Sequence, residues 1–86
     1  KTGDCYVMAG TFYYMAKLLG YDAHQIAGYV PLRSGNMGVH SWVEIDINGS
    51  TYVFDPDFTH ESGRNGYQIS YGMSGTWRYS NYYRMN

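Results

Sequence analysis

The sequence predicts a small α+β domain in which an N-terminal helix packs on a small antiparallel β-sheet. Three observations carry this prediction: apolar residues at helical spacing near the start, alternation of apolar and polar residues in the middle, and a turn dipeptide between two alternating segments. The chain has 86 residues, enough for one domain with a modest core. Because it contains 11 tyrosines and 11 glycines, that core must be partly aromatic, which favours strands and turns over long helices.

The first predicted element is a helix over residues 5–19. Its apolar stripe recurs every three or four residues, at Cys5, Met8, Phe12, Met15, Ala16 and Leu19. Thr2 or Asp4 can cap its start, and Gly20 stands where a glycine commonly follows the end of a helix. Cys5 is therefore expected in the first turn, at the buried edge of the stripe.

Strands are predicted for the middle of the chain. Residues 23–30 form a strand ended by Pro31, and a loop follows over residues 32–38. Residues 39–47 and 50–55 flank Asn48-Gly49, the dipeptide that best suits a type I′ hairpin turn. Beyond residue 55 the pattern weakens. Residues 63–66 and 72–75 are predicted turns, residues 67–71 a strand, and residues 77–83 either a closing strand or a tail.

The hairpin makes a geometric prediction about a histidine and an aspartate. A two-residue loop pairs Ile47 with Ser50, and the same register places Asp55 opposite Trp42. Because His40 lies two residues before Trp42, it shares that face and becomes a diagonal neighbour of Asp55. Diagonal positions lie roughly 7–8 Å apart, within reach of an imidazole and a carboxylate. The turn chemistry therefore predicts a His40–Asp55 pair. Asp57, which the same register places opposite His40 but past Pro56, is the less favoured partner.

A histidine paired in this way leaves its second ring nitrogen for a nucleophile. Cys5 is the natural candidate, because a helix N-terminus and a neighbouring imidazolium both stabilise a thiolate. The alternative is an inert thiol in the apolar core, where free cysteines are common. For the helix to reach His40, either its N-terminus lies over the His40 face, against Trp42 and Val53, or a bulge changes the alternation along the strand. We expect the first arrangement, in which the C-terminal segment, or chain outside these residues, covers the opposite apolar face.

Composition excludes several classes of function. The net charge of −1 offers no footprint for nucleic acid, no apolar run approaches the ~20 residues of a membrane span, and a single cysteine excludes an internal disulfide or a multi-thiolate metal site. One set of candidate metal ligands consists of Asp55, Asp57, His60 and Glu61. Because their spacing matches neither a zinc site nor an EF-hand loop, we expect no metal and no cofactor. Glu44 and Asp46 are interpreted as solvated, and His24 as a surface residue. The Tyr-, Gly-, Ser- and Asn-rich composition with few lysines favours an extracytoplasmic bacterial protein.

Three motifs in order along residues 3–57 carry a family resemblance: Gly3-Asp4-Cys5, His40-Ser41-Trp42-Val43-Glu44 and Val53-Phe54-Asp55-Pro56. Here the chain resembles the transglutaminase-like superfamily, a branch of the papain-like thiol enzymes. The resemblance implies Cys5 as nucleophile, His40 as general acid and base, and Asp55 as the residue that orients His40. It also implies an oxyanion site built from the Cys5 main-chain N–H and a side chain upstream. Residues 1–86 are accordingly expected to be a single transglutaminase-like core domain excised from a longer protein.

The implied activity is hydrolysis or acyl transfer at an amide bond through a Cys5 thioester. Trp42 is expected to line the substrate groove, and the substrate to be a peptide or protein amide, with cell-wall peptide as one option and the enzyme a monomer. The acceptor is open between water and an amine, with hydrolysis preferred. Two other classes remain: a catalytically degenerate binding module, and a structural insert that docks a partner through surface tyrosines.

Overall fold

The elements of the fold follow the predicted order. The structure, a computed structural model, describes residues 2–86, and side chains from residue 4 onward. The elements are α1 (Thr2–Leu18), β1 (Asp22–Pro31), β2 (Met37–Ile47), β3 (Ser50–Phe54), α2 (Pro56–Ser62) and β4 (Ser80–Arg84). The strands form one antiparallel sheet in the order β3-β2-β1-β4. The predicted α+β class, with an N-terminal helix on a small antiparallel sheet, is confirmed.

Two local predictions rest on glycines with positive φ. Gly20, at φ 92°, follows the end of α1 and donates its N–H to the carbonyl of Lys17 at 3.0 Å. Asn48 and Gly49 have φ of 51° and 84°, as a type I′ turn requires, and Ile47 pairs with Ser50. The helix end and the hairpin register are therefore as the sequence predicts.

The second helix is an addition to the predicted elements. Asp55 caps α2 by accepting the N–H of Phe58 at 3.1 Å, Pro56 occupies the first turn, and Gly63 ends the helix at φ 73°. An aspartate followed by proline is also a common way to start a helix, so the signal was present in the sequence. In the C-terminal segment, the predicted strand over residues 67–71 is reduced to one bridge, between Val53 and Ile69.

The helix and the C-terminal segment cover the opposite faces from those expected. One buried cluster joins α1 to the apolar face of the sheet: Ala9, Ala16, Ala23, Val43 and Ile45. A second cluster joins the C-terminal segment to the His40 face: Ile26, Trp42, Val53 and Ile69, with Tyr71 and Tyr79 packed against it. The expected placement of α1 against Trp42 and Val53 is therefore wrong. The aliphatic face packs against small helical residues, Ala9 and Ala16, whereas the Trp42 indole N–H needs an acceptor that the Tyr71 hydroxyl supplies.

Candidate active site

His40 and Asp55 meet in a buried pair. The Nε2 atom of His40 lies 2.8 Å from Oδ2 of Asp55, and the two residues are 3% and 0% exposed. Residues of the hairpin pair in the register expected from its turn, and Asp55 follows directly on the last paired residue, Phe54. The predicted proximity of this histidine and aspartate is therefore present. With Nε2 directed at the carboxylate, Nδ1 is left to face another group.

Two further donors hold the Asp55 carboxylate in place. The Tyr79 hydroxyl donates to Oδ2 at 2.7 Å, and the Phe58 N–H donates to Oδ1 at 3.1 Å. Burial and the nearby Asp55 charge raise the pKa of Tyr79 far above that of an ordinary phenol, so its hydroxyl stays protonated and remains a donor. Asp55 thus orients His40, caps α2 and anchors the C-terminal segment.

Aromatic rings fix the plane of the His40 imidazole. Trp42 stacks on it with centroids 5.7 Å apart, and Trp77 meets it edge-on at 4.8 Å. On the side away from Asp55, Nδ1 lies 3.9 Å from Oδ2 of Asp57 in α2. The imidazole therefore has little freedom to rotate, and its two nitrogens serve opposite sides of the ring.

Cys5 reaches the same site from the start of α1. Because β3 ends at Phe54, opposite Val43, the part of β2 before Val43 has no strand of the described residues on that edge. α2, which follows β3, packs beside α1. The Ser41 main chain hydrogen-bonds the Cys5 sulfur. Cys5, His40, Asp57 and Trp77 line one cleft of about 490 Å³. Because this edge of β2 is not covered by a strand, α1 can pack on the aliphatic face and still share a cleft with His40.

A side-chain bridge holds the start of α1 against the sheet beside Cys5. Gln25 in β1 donates through Nε2 to the carbonyl of Tyr6 at 3.3 Å and to the Ser41 hydroxyl at 3.1 Å. The Ser41 hydroxyl donates in turn to the carbonyl of Ile26 at 2.7 Å. Gln25 thereby connects Tyr6 and Ser41, the residues that follow Cys5 and His40 in the chain.

The surroundings of Cys5 favour the protonated form of its sulfur. Burial raises the pKa of the Cys5 thiol, and the charges of Asp57 and Asp55 add to this rise, while the Ser41 main chain lowers it. A helix N-terminus alone would favour a thiolate. Here that effect is opposed, because Cys5 is only 2% exposed and the charges of Asp57 and Asp55 act on it. A nucleophilic role for this sulfur would therefore require a neighbouring group that accepts the thiol proton.

The motif residues fall within a family match. The model of the transglutaminase-like superfamily matches residues 1–56 of the chain. The chain belongs to the transglutaminase-like superfamily. It has no match among curated proteins or among solved structures. The superfamily includes cysteine enzymes, and the fold is related to theirs.

The transglutaminase-like match ends before several residues of the cleft. Cys5, His40 and Asp55 lie inside the matched range, whereas Asp57 and Trp77 lie beyond it. The contacts of Trp77 with His40 and of Tyr79 with Asp55 do not follow from the sequence pattern. Their only signal was the aromatic density of residues 77–83, which does not specify a partner.

Trp42 lies behind the cleft rather than in its lining. It is 0% exposed, so it cannot contact substrate in this conformation, and the expectation that it lines the groove is not supported. The indole Nε1–H donates to the Tyr71 hydroxyl at 2.8 Å, which donates to Oε2 of Glu44 at 2.5 Å. Arg84 donates to Glu44 at 2.9 Å. Glu44 is therefore buried and paired rather than solvated. The half-buried Trp77 lines the cleft where Trp42 was expected.

The groups considered for metal binding lie in different places. Within residues 2–86, the one cluster of three ligand-type groups within 4.8 Å of one another is Asp22, His24 and Asp46. Arg84 binds Asp46 there at 3.0 Å, so a cation already neutralises that carboxylate. Asp57 faces His40, while His60 is exposed. No helix within residues 2–86 has the length and apolar character needed to cross a membrane.

The Tyr79 hydroxyl gives a test of how Asp55 is held. We expect Tyr79→Phe to lower the free energy of unfolding by about 1.5–3 kcal/mol, because the ring still packs on Trp42 while a hydrogen bond to a buried charge is lost. Tyr83→Phe, at a ring 63% exposed, is the matched control and should change stability by no more than about 0.5 kcal/mol. Urea unfolding measures both, and equal stability of the two variants would contradict the anchoring role of Tyr79.

Proposed function

We propose that this chain catalyses thiol-dependent acyl transfer or hydrolysis at an amide bond of a peptide or protein, through a thioester on Cys5. The observation that carries the proposal is the shared cleft: Cys5 and His40 both line it, and His40 is bound through Nε2 to Asp55 at 2.8 Å. A base oriented by a buried carboxylate beside a thiol is the arrangement that nucleophilic catalysis requires.

Acylation of the thiol would proceed as follows. His40 accepts the Cys5 proton at Nδ1 while the sulfur attacks the amide carbonyl carbon, and a C–S bond forms. The imidazolium then protonates the departing nitrogen as the C–N bond breaks. Asp55 stabilises the imidazolium through Nε2, and the Tyr79 and Phe58 donors keep the carboxylate aligned.

Deacylation would use the same nitrogen. His40 removes a proton from water or from an amine, which attacks the thioester carbonyl, and the C–S bond breaks as the sulfur recovers its proton. Water gives hydrolysis and an amine gives transfer. In both cases His40 and Cys5 return to the state in which they began.

A second candidate function is a binding module that keeps the scaffold without catalysis. It is favoured by the burial of Cys5, which raises the pKa of its thiol and makes the isolated sulfur a poor nucleophile. The two candidates differ in whether His40 increases the reactivity of the sulfur. That difference can be measured without knowing the substrate.

Iodoacetamide labelling of Cys5 tests the proposal. At pH 7 we expect His40→Ala to slow labelling by at least about tenfold, because the base that removes the thiol proton is lost. In this variant the rate should keep rising with pH beyond about 8.5, since burial raises the pKa of the thiol. His60→Ala removes an exposed histidine and is the matched control that should label like the wild type. Equal rates for the wild type and His40→Ala, with both folded by circular dichroism, would favour the binding module.

A further inference from the structure

Two carboxylates and an imidazole meet on the His40 face of the sheet, at the hairpin end of β2. Asp46 lies six residues after His40 on that strand, so alternation places both on one face. Asp22 in β1 pairs with Asp46 across the two strands, and His24 follows on the same face of β1. At about 3.3 Å per residue, this cluster lies roughly 20 Å along β2 from the proposed active site.

The ring of His24 is held in one orientation. Its Nδ1 lies 3.0 Å from the main-chain oxygen of Asn86, which can only accept a hydrogen bond. Nδ1 therefore carries the hydrogen, and in the neutral ring the lone pair is on Nε2. Although 19% of the side chain is exposed, Nε2 itself is buried and has no hydrogen-bond partner among residues 2–86. Metal-binding histidines are commonly held in this way, with the second ring nitrogen donating to a main-chain oxygen.

The Nε2 atom of His24 lies close to two carboxylate oxygens without a hydrogen bond to either. It is 3.0 Å from Oδ1 of Asp22 and 3.6 Å from Oδ2 of Asp46, yet neither oxygen is aligned with it. A protonated ring would therefore leave its Nε2–H without an aligned acceptor. Atoms bound about 2.1 Å from one ion, at angles of about 90–120°, lie about 3.0–3.6 Å apart and point at the ion rather than at each other. The three ligand atoms fit this arrangement, since all lie within 4.8 Å of one another.

The charges around His24 favour a dication. Arg84 donates to Glu44 at 2.9 Å and to Asp46 at 3.0 Å, so one guanidinium serves two carboxylates. Within the described part of the chain, Asp22 pairs with His24 and with no lysine or arginine. The three carboxylates therefore exceed the guanidinium by two negative charges when His24 is neutral. Asp46 can still bind an ion, because a carboxylate oxygen has two lone pairs and Oδ2 accepts one N–H, from Arg84.

We propose that Asp22, His24 and Asp46 bind a zinc ion, with solvent completing its coordination. An imidazole combined with carboxylates suits Zn²⁺, whereas Mg²⁺ and Ca²⁺ prefer oxygen ligands alone. The ion would join β1 to β2, and through the His24 ring it would hold Asn86, which follows β4. This site is separate from the cleft and does not depend on the proposed function.

The test is calorimetric titration of the metal-free chain with Zn²⁺ at neutral pH, with Cys5→Ser in every variant so that the cleft offers no thiolate. We expect one ion per chain. Asp22→Asn and His24→Gln should each weaken binding at least about tenfold, because each removes a ligand. His60→Gln removes an exposed histidine and is the matched control that should bind like the parent. Mg²⁺ should bind at least about tenfold more weakly than Zn²⁺.

Unfolding in urea gives a second readout. Zn²⁺ should raise the midpoint of the parent chain and leave that of Asp22→Asn unchanged, since an ion that binds only the folded state stabilises it. Asp22 is 62% exposed, so this variant should fold even if His24→Gln does not. No zinc binding to the folded parent, equal zinc affinity in folded Asp22→Asn, or equal affinity of the parent for Mg²⁺ would overturn the proposal. None of these results would change the iodoacetamide test of Cys5, which bears on the proposed function alone.

Discussion

Replacing Asp55 with alanine is expected to destabilise the fold by about 3–5 kcal/mol. The change leaves the Nε2 of His40, the hydroxyl of Tyr79 and the N–H of Phe58 without their acceptor, at a position with no exposed surface. Small domains have total stabilities of about 5–15 kcal/mol, so the variant should unfold at far lower urea concentration than the wild type. Urea unfolding followed by circular dichroism measures the effect.

Two variants act as controls for this prediction. Asp55→Asn keeps the size of the side chain and the cap of α2 but loses the charge, so it should destabilise the fold less than Asp55→Ala. Acyl turnover should still fall by about 100-fold or more, because His40 loses its anionic partner. Asp22→Asn changes a carboxylate that is 62% exposed and should leave stability within about 0.5 kcal/mol. Wild-type stability in Asp55→Ala, or wild-type turnover in Asp55→Asn, would contradict the assigned role.

Removing the sulfur is expected to have the largest effect on activity. Cys5→Ala should lower turnover of p-nitrophenyl acetate by more than about 1000-fold, because no other group in the cleft can form the acyl intermediate by the proposed route. Stability should fall by no more than about 2 kcal/mol, since only one small buried group is lost.

The matched control for Cys5 lies two residues further along α1. Val7 is 68% exposed, so Val7→Ala should keep both turnover and stability close to the wild type. The release of p-nitrophenol measures turnover in all variants. Substantial turnover in a folded Cys5→Ala would mean that another side chain carries the reaction.

The parts of the fold that the sequence predicts are those determined by local chemistry. Asn48-Gly49 determines the hairpin turn, the turn determines the register, and the register brings His40 to Asp55. The apolar spacing of α1 and the glycine after it determine the first helix in the same local way. The family match covers this same stretch, residues 1–56.

The features of the fold that the sequence does not predict depend on long-range contacts. Alternation along β2 defines two faces of the sheet but does not determine which element covers each face. The expected position of α1, on the His40 face, is therefore wrong. Tyr79 reaches Asp55 only because β4 returns to pair with β1, which no local pattern encodes. α2 is seven residues long, too short to show a clear apolar periodicity in the sequence. The hairpin register already places Asp57 opposite His40 but past Pro56, and the structure places its Oδ2 3.9 Å from His40 Nδ1 on this helix.

The whole functional account depends on one covalent event, the transfer of an acyl group to the sulfur of residue 5. Intact-protein mass spectrometry after brief exposure to p-nitrophenyl acetate tests it directly, with peptide mapping to locate the adduct. The account predicts a gain of one acetyl group on Cys5, slower in His40→Ala and absent in Cys5→Ser. An unchanged mass, or an adduct that forms equally fast without His40, would contradict it.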